Sequence, residues 1–118
     1  MNNPSTKKYA TGDRAVEVVK AYLEEHYARV FKLDDLAELT GFDKYYLRSL
    51  FKRHTGHSPH AYQQEMRLEQ AKTLLEQGVT AAEVASRVGF SDQSHLNRIF
   101  QKRLGMTAGR YQYLKSKP

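Results

Sequence analysis

A chain of 118 residues is long enough for one modest core, and the complete absence of cysteine excludes a disulfide framework or a thiolate metal site. No apolar run approaches the length of a membrane span, and Met1 to Lys8 has no apolar stretch behind its charges, so neither a spanning segment nor a signal peptide is expected. The net charge of +6 suggests a polyanionic partner, and the lack of cysteine fits a cytoplasmic protein.

Three prolines and no sustained polar–apolar alternation point to an all-α fold. Residues 1–12, with Pro4 and Gly12, read as a loose tail or linker. From Asp13 to Tyr27 the spacing of Ala15, Val18, Val19, Tyr22, Leu23 and His26 predicts one face of a helix. A short second helix is expected over Leu33 to Thr40, with Asp34 and Asp35 in its first turn, ended by Gly41-Phe42. Asp43 can cap a third helix that runs to Thr55 and stops at Gly56. Ser58-Pro59 is a strong start for a fourth, which Gly78 closes. Thr80 and Glu83 form a capping-box pattern for the fifth, ended by Gly89-Phe90. Ser91 or Asp92 caps the sixth, which Gly105 ends, and Thr107 caps a seventh through Leu114.

The chain repeats itself. Leu36-Ala37-Glu38-Leu39-Thr40-Gly41-Phe42 matches Val84-Ala85-Ser86-Arg87-Val88-Gly89-Phe90 at an offset of 48; Leu47, Phe51 and Gly56 then match Leu96, Phe100 and Gly105 at an offset of 49. Each copy reads as a short helix containing an alanine, a Gly-aromatic turn and a longer basic helix. The small residue permits close helix crossing and the glycine a sharp reversal, as in a helix-turn-helix. The expected organisation is a first such subdomain over 13–57, a linker helix over 58–78 and a second subdomain over 79–118.

A duplicated hairpin could instead use its alanines and glycines for packing alone, but the polar faces count against that. In the third helix Tyr46, Leu47, Leu50 and Phe51 are read as the core stripe, which leaves Tyr45, Arg48, Ser49 and Lys52 outward. In the sixth, Leu96, Ile99, Phe100 and Leu104 point inward, and Gln93, Ser94, Asn97, Arg98 and Gln101 outward. Arginine can bond guanine, and asparagine or glutamine adenine, through base edges. Residues 44–56 and 93–105 contain no carboxylate, which a phosphate backbone would repel.

These residues carry a resemblance to the C-terminal DNA-binding domain of the AraC/XylS family of bacterial regulators. The agreeing positions are Arg67-Leu68, Ala71, Leu74-Leu75, Val84-Ala85, Gly89-Phe90, Leu96, Arg98, Phe100, Gly105 and Tyr111, together with Phe51-Lys52, Gly56-His57-Ser58-Pro59 and Tyr62. Two positions depart from the family pattern: Ala108 stands where proline is usual, and Lys32 where a capping serine is frequent. The resemblance implies seven helices, the fourth bridging two helix-turn-helix subdomains, whose recognition helices enter successive major grooves of promoter DNA. A fourth helix from Pro59 to Gln77 would span roughly 28 Å, close to the ~34 Å of one DNA turn once subdomain widths are added. By motif position, the resemblance assigns base contacts to Tyr45, Arg48, Ser49, Gln93, Ser94, Asn97 and Arg98. Phosphate contacts are expected from Lys44, Lys52, Lys102 and helix N-terminal amides. It also implies transcriptional activation, RNA polymerase as a partner, and an N-terminal effector-binding domain that this chain does not contain. The polar start favours an excised domain over a small stand-alone regulator.

Other chemistry finds little support. His54, His57 and His60 straddle a helix end, a turn and a helix start, so no metal or cofactor is expected of them. There is no nucleophile elbow, phosphate loop or zincin pair, and the chain is expected not to be an enzyme. His95 is expected near the DNA. The rival reading is a helical module whose basic faces meet an acidic protein.

Overall fold

The computed structural model describes residues 11–117, which form seven helices and, among the described residues, no strand. They are α1 Gly12–Glu25, α2 Leu33–Thr40, α3 Lys44–Thr55, α4 Pro59–Glu76, α5 Ala81–Val88, α6 Gln93–Leu104 and α7 Ala108–Ser116. Most of the tail expected over 1–12 lies outside the described residues. Its last two do not behave as tail: Thr11 is the N-cap of α1 and accepts the Arg14 N–H at 3.0 Å, so the helix starts at Gly12.

Local side-chain chemistry sets the helix starts. Asp43 accepts from the N–H groups of Tyr45 and Tyr46 (3.0 and 3.1 Å), Ser58 from Ala61 (3.2 Å), Asp92 from His95 (2.8 Å) and Thr107 from Arg110 (3.1 Å). Each such cap contributes about 1 kcal/mol by satisfying an amide that the helix cannot. The start of α5 differs from the sequence expectation. Thr80 accepts from the Glu83 N–H, but the Glu83 carboxylate pairs with Arg87 and does not return to Thr80, so only half of the capping box forms. At α2, Lys32 has no side-chain acceptor, and the Asp35 carboxylate accepts the Lys32 N–H at 2.9 Å instead.

The helices sort into two compact units. One holds α1, α2, α3 and the start of α4 through Gln64; the other holds Tyr27–Arg29, α4 from Glu65 onward, α5, α6 and α7. In the first, Ala15, Val16, Val19 and Leu23 of α1 close over Leu36 of α2 and over Leu47, Leu50 and Phe51 of α3. Val16 is core, whereas Val18 of the expected face is only partly covered. The second core joins Leu68, Ala71 and Leu75 to Val84, Ala85, Val88, Phe90, Leu96, Phe100, Ala108 and Tyr111. Burying each large apolar side chain contributes about 1.5–3 kcal/mol, so both cores rest chiefly on these few residues.

The turns between α2 and α3 and between α5 and α6 explain the repeated glycines. Gly41 and Gly89 both have left-handed backbones, with φ of 77° and 98°. At Gly89 a second constraint applies, because a Cβ there would lie 2.5 Å from the carbonyl oxygen of Ala28. The segment it touches is held by Arg67, whose Nε donates to the Tyr27 carbonyl at 2.7 Å and whose Nη2 donates to that of Arg29 at 3.3 Å. Burial lowers the pKa of this guanidinium, and the two carbonyls offset part of the cost of hiding its charge. Farther along, the Gln112 amide donates to the carbonyls of Leu75, in the last turn of α4, and of Val79, beyond its end (3.0 and 2.7 Å).

Candidate nucleic-acid interface

In the first unit, α3 buries Leu47, Leu50 and Phe51, and the opposite face carries Tyr45, Arg48, Ser49 and Lys52, all exposed. Arg48 and Lys52 have no carboxylate partner among the described residues, so their charges face solvent. Tyr46 does not join the core stripe as expected. It is 52% exposed, with the ring of Phe42 beside it, centroids 5.8 Å apart. The α3 surface is therefore more aromatic than the sequence suggests. Lys44 is not free either: its Nζ meets Asp34 at 2.9 Å. The hydrogen bond and charge of Asp34 raise the lysine's pKa, and a phosphate would have to displace that carboxylate.

In the second unit, Asp92 fixes the start of α6, and Leu96 and Phe100 are buried beneath it. Ile99 and Leu104 pack partly buried against the same core, as their spacing implies. Ser94, Asn97, Arg98, Gln101 and Lys102 line one open, shallow groove. Gln93, Ser94, Arg98 and Lys102 are exposed. Arg98 and Lys102 lack any carboxylate partner among the described residues, whereas their neighbour Arg103 pairs with Glu65.

Asn97 lines the groove but also has a partner within the unit. It is only partly exposed, and its Oδ1 accepts the Ala108 N–H at 2.9 Å. Reading adenine in two-point fashion needs a free acceptor beside a free donor, and Asn97 has committed the acceptor. The cause is tertiary: α7 begins directly against this part of α6.

The histidines have separate surroundings. His54 links the Leu50 carbonyl (3.0 Å) to Asp13 (2.8 Å), His60 stacks on Phe31 with centroids 4.2 Å apart, and His57 is exposed. His95 is half-buried against the edge of Phe90, centroids 4.9 Å apart, beside the Ser91 hydroxyl. Among the described residues no group of His, Asp and Glu side chains could hold a metal, and no helix is long and apolar enough to cross a membrane.

Two helix-turn-helix arrangements in one chain agree with what comparison finds. The family model described as a helix-turn-helix domain matches residues 36–113. A structure of a probable AraC family transcriptional regulator from Rhodopseudomonas palustris covers 87% of this chain and 98% of that one, at 28% identity and a TM-score of 0.76. The chain belongs to the AraC/XylS family. Within that family it is 49% identical over 81 residues to an HTH-type regulator, YbfI, of Bacillus subtilis. That match takes in 69% of this chain but 30% of the relative, so the chain spans less than a third of that regulator's length. The DNA-binding domain of the global transcriptional factor AdpA, solved with a target DNA, superposes over 85% of this chain and 91% of that one, with a TM-score of 0.78 and 28% identity.

Placed in the family, two residues gain weight that their sequence context alone does not give them. Gln101 joins the groove beside Arg98, and the outward face of α6 already points to it. Arg67 shows in the sequence only as part of a motif, because the carbonyls it holds lie 38 and 40 residues away along the chain.

Proposed function

We propose that this chain binds promoter DNA sequence-specifically, with α3 and α6 each entering a major groove, and that it acts through binding rather than catalysis. What carries the reading is the pair of carboxylate-free stripes bearing the exposed Arg48 and Arg98, which have no carboxylate partner among the described residues. An arginine in this setting offers a planar fork to guanine without first breaking an ion pair. On α3, Tyr45, Arg48 and Ser49 read bases; on α6, Gln93, Ser94 and Arg98 do so. Lys52 and Lys102 neutralise phosphates, and Lys44 does so after exchanging Asp34 for a phosphate oxygen.

In a whole regulator of this family, the chain would supply the promoter-binding part of an activator that works in the cytoplasm and contacts RNA polymerase. An N-terminal effector-binding domain would belong to the same protein. The test is a salt titration of duplex binding. Affinity falls linearly on log–log axes, and Lys52→Ala or Lys102→Ala flattens the slope by about one unit each while weakening all sequences alike. Salt-independent binding, or preference for an acidic protein over duplex DNA, overturns the reading.

A further inference from the structure

Asn97 sits in the groove of α6, but the structure gives its oxygen a different task. Ala108 is the first residue of α7 and is fully buried. Its N–H is one of the donors that no helix can satisfy internally. The Thr107 hydroxyl already takes the Arg110 N–H, and Asn97 Oδ1 takes that of Ala108 at 2.9 Å. Without Asn97, this amide would be buried and unpaired.

The repeat contains its own control. At the offset of 49, Gly56-His57-Ser58-Pro59 corresponds to Gly105-Met106-Thr107-Ala108, and Asn97 corresponds to Arg48. In the first unit the helix begins with Pro59, which is buried and has no N–H to satisfy. There the matching position is an exposed arginine turned to solvent. In the second unit the first residue keeps its N–H, and the matching position is a half-buried asparagine turned toward it. The two positions differ together, as a donor and its acceptor would.

We infer that Asn97 is a positioning residue: its side-chain oxygen latches α7 to α6 and so fixes how the face bearing Ser94, Arg98, Gln101 and Lys102 meets DNA. The inference rests on the DNA-binding reading above. Asn97 is adjacent to Arg98 in sequence and lines the same groove, so loosening the latch disturbs the arginine's approach directly. It removes Asn97 from the base-reading set and gives the second unit a device that the first does not need.

The test exchanges the donor and its acceptor together. The parent chain first selects its preferred duplex from a random pool, and that duplex is the probe. Asn97→Ala leaves the Ala108 N–H buried and weakens binding about tenfold. Combining Asn97→Ala with Ala108→Pro removes the N–H, suits the first helical position and fills the space beside it. The double variant therefore returns to within about twofold of the parent and selects the parental consensus. A double variant that keeps the loss, with relaxed preference at one base position, would show that Asn97 reads a base and would overturn the inference. Thermal unfolding without DNA provides a second readout. Asn97→Asp, whose carboxylate accepts the same N–H at a helix N-terminus, keeps the parental Tm while Asn97→Ala lowers it. Equal Tm values for Asn97→Ala and the parent overturn the latch. A parent chain with no affinity for any duplex instead overturns the DNA-binding reading beneath it.

Discussion

The two helix-turn-helix units use the same short helix, turn and long helix, yet they support them differently. Ala85 is 1% exposed under its partner helix, whereas the matching Ala37 is only half-buried. Phe90 is buried, with the Arg67 guanidinium over its ring at 5.8 Å, whereas Phe42 shares its exposed flank with Tyr46. Thr40 stands where the second unit has Val88, and its buried hydroxyl bonds back to the Leu36 carbonyl at 2.9 Å. The outward faces differ too: α3 presents two exposed tyrosines and a lysine tied to Asp34, while α6 presents an open groove lined by Ser94, Asn97, Arg98, Gln101 and Lys102. A repeated pattern thus sets the backbone of each unit, and non-repeated neighbours decide how tightly it is held and what it shows to solvent.

The two turn glycines are the sharpest way to break this comparison. Gly41→Ala forces a side chain into the left-handed region and costs about 1–2 kcal/mol. Gly89→Ala has the same penalty plus a Cβ lodged 2.5 Å from the Ala28 carbonyl oxygen, which is backbone and cannot swing aside. Chemical denaturation is expected to show the larger loss at Gly89. Equal losses would mean that the approach of Ala28 is not a real constraint on the second unit.

Features set by residues close along the chain are legible from the amino-acid order alone. Asp43, Ser58, Asp92 and Thr107 act as caps because each needs only an amide two or three residues ahead. The bounds of α2 follow Leu33 to Thr40 for the same reason. Tyr46 departs from its expected place because periodicity says which way a side chain points, not whether anything covers it. The Asn97 contact with Ala108 is not legible in the sequence, because an outward-facing amide looks alike whether its partner is a base or an N–H eleven residues on. Arg67 and Gln112 are silent as local signals, since their carbonyl partners lie more than thirty residues away. The carboxylate-free outward face of α6 is legible in the sequence; the contact that Asn97 makes with Ala108 is not.

A smaller effect separates the ends of the two recognition helices. In the first unit His54 donates to the Leu50 carbonyl and meets Asp13, and these contacts, the backbone one foremost, raise its pKa above the ordinary imidazole value. Desolvation and, more weakly, the charge of Arg53 oppose the shift. A raised folded-state pKa stabilises the protonated form, so the contribution is fully present below about pH 6.5 and is lost as pH rises through the higher folded value. The corresponding Arg103 pairs with Glu65 instead. Unfolding measured from pH 6 to 8 is expected to show a decline in the parent that His54→Gln flattens. An unchanged decline in that variant would remove His54 as its source.

The central claim, that the exposed arginine on each long helix reads one half of a bipartite site, is tested most directly by binding-site selection with Arg48→Ala and Arg98→Ala. Both side chains are exposed, so folding stability is expected to stay within about 0.5 kcal/mol of the parent. Each loss is expected to relax one base position, by about 1–3 kcal/mol of discrimination, with the two positions roughly one helical turn apart. Lysine at either site restores overall affinity better than base preference, because it keeps the charge and loses the planar fork. If the Arg98→Ala variant instead returns the parental consensus at parental affinity, α6 does not read DNA with this face, and the account is contradicted.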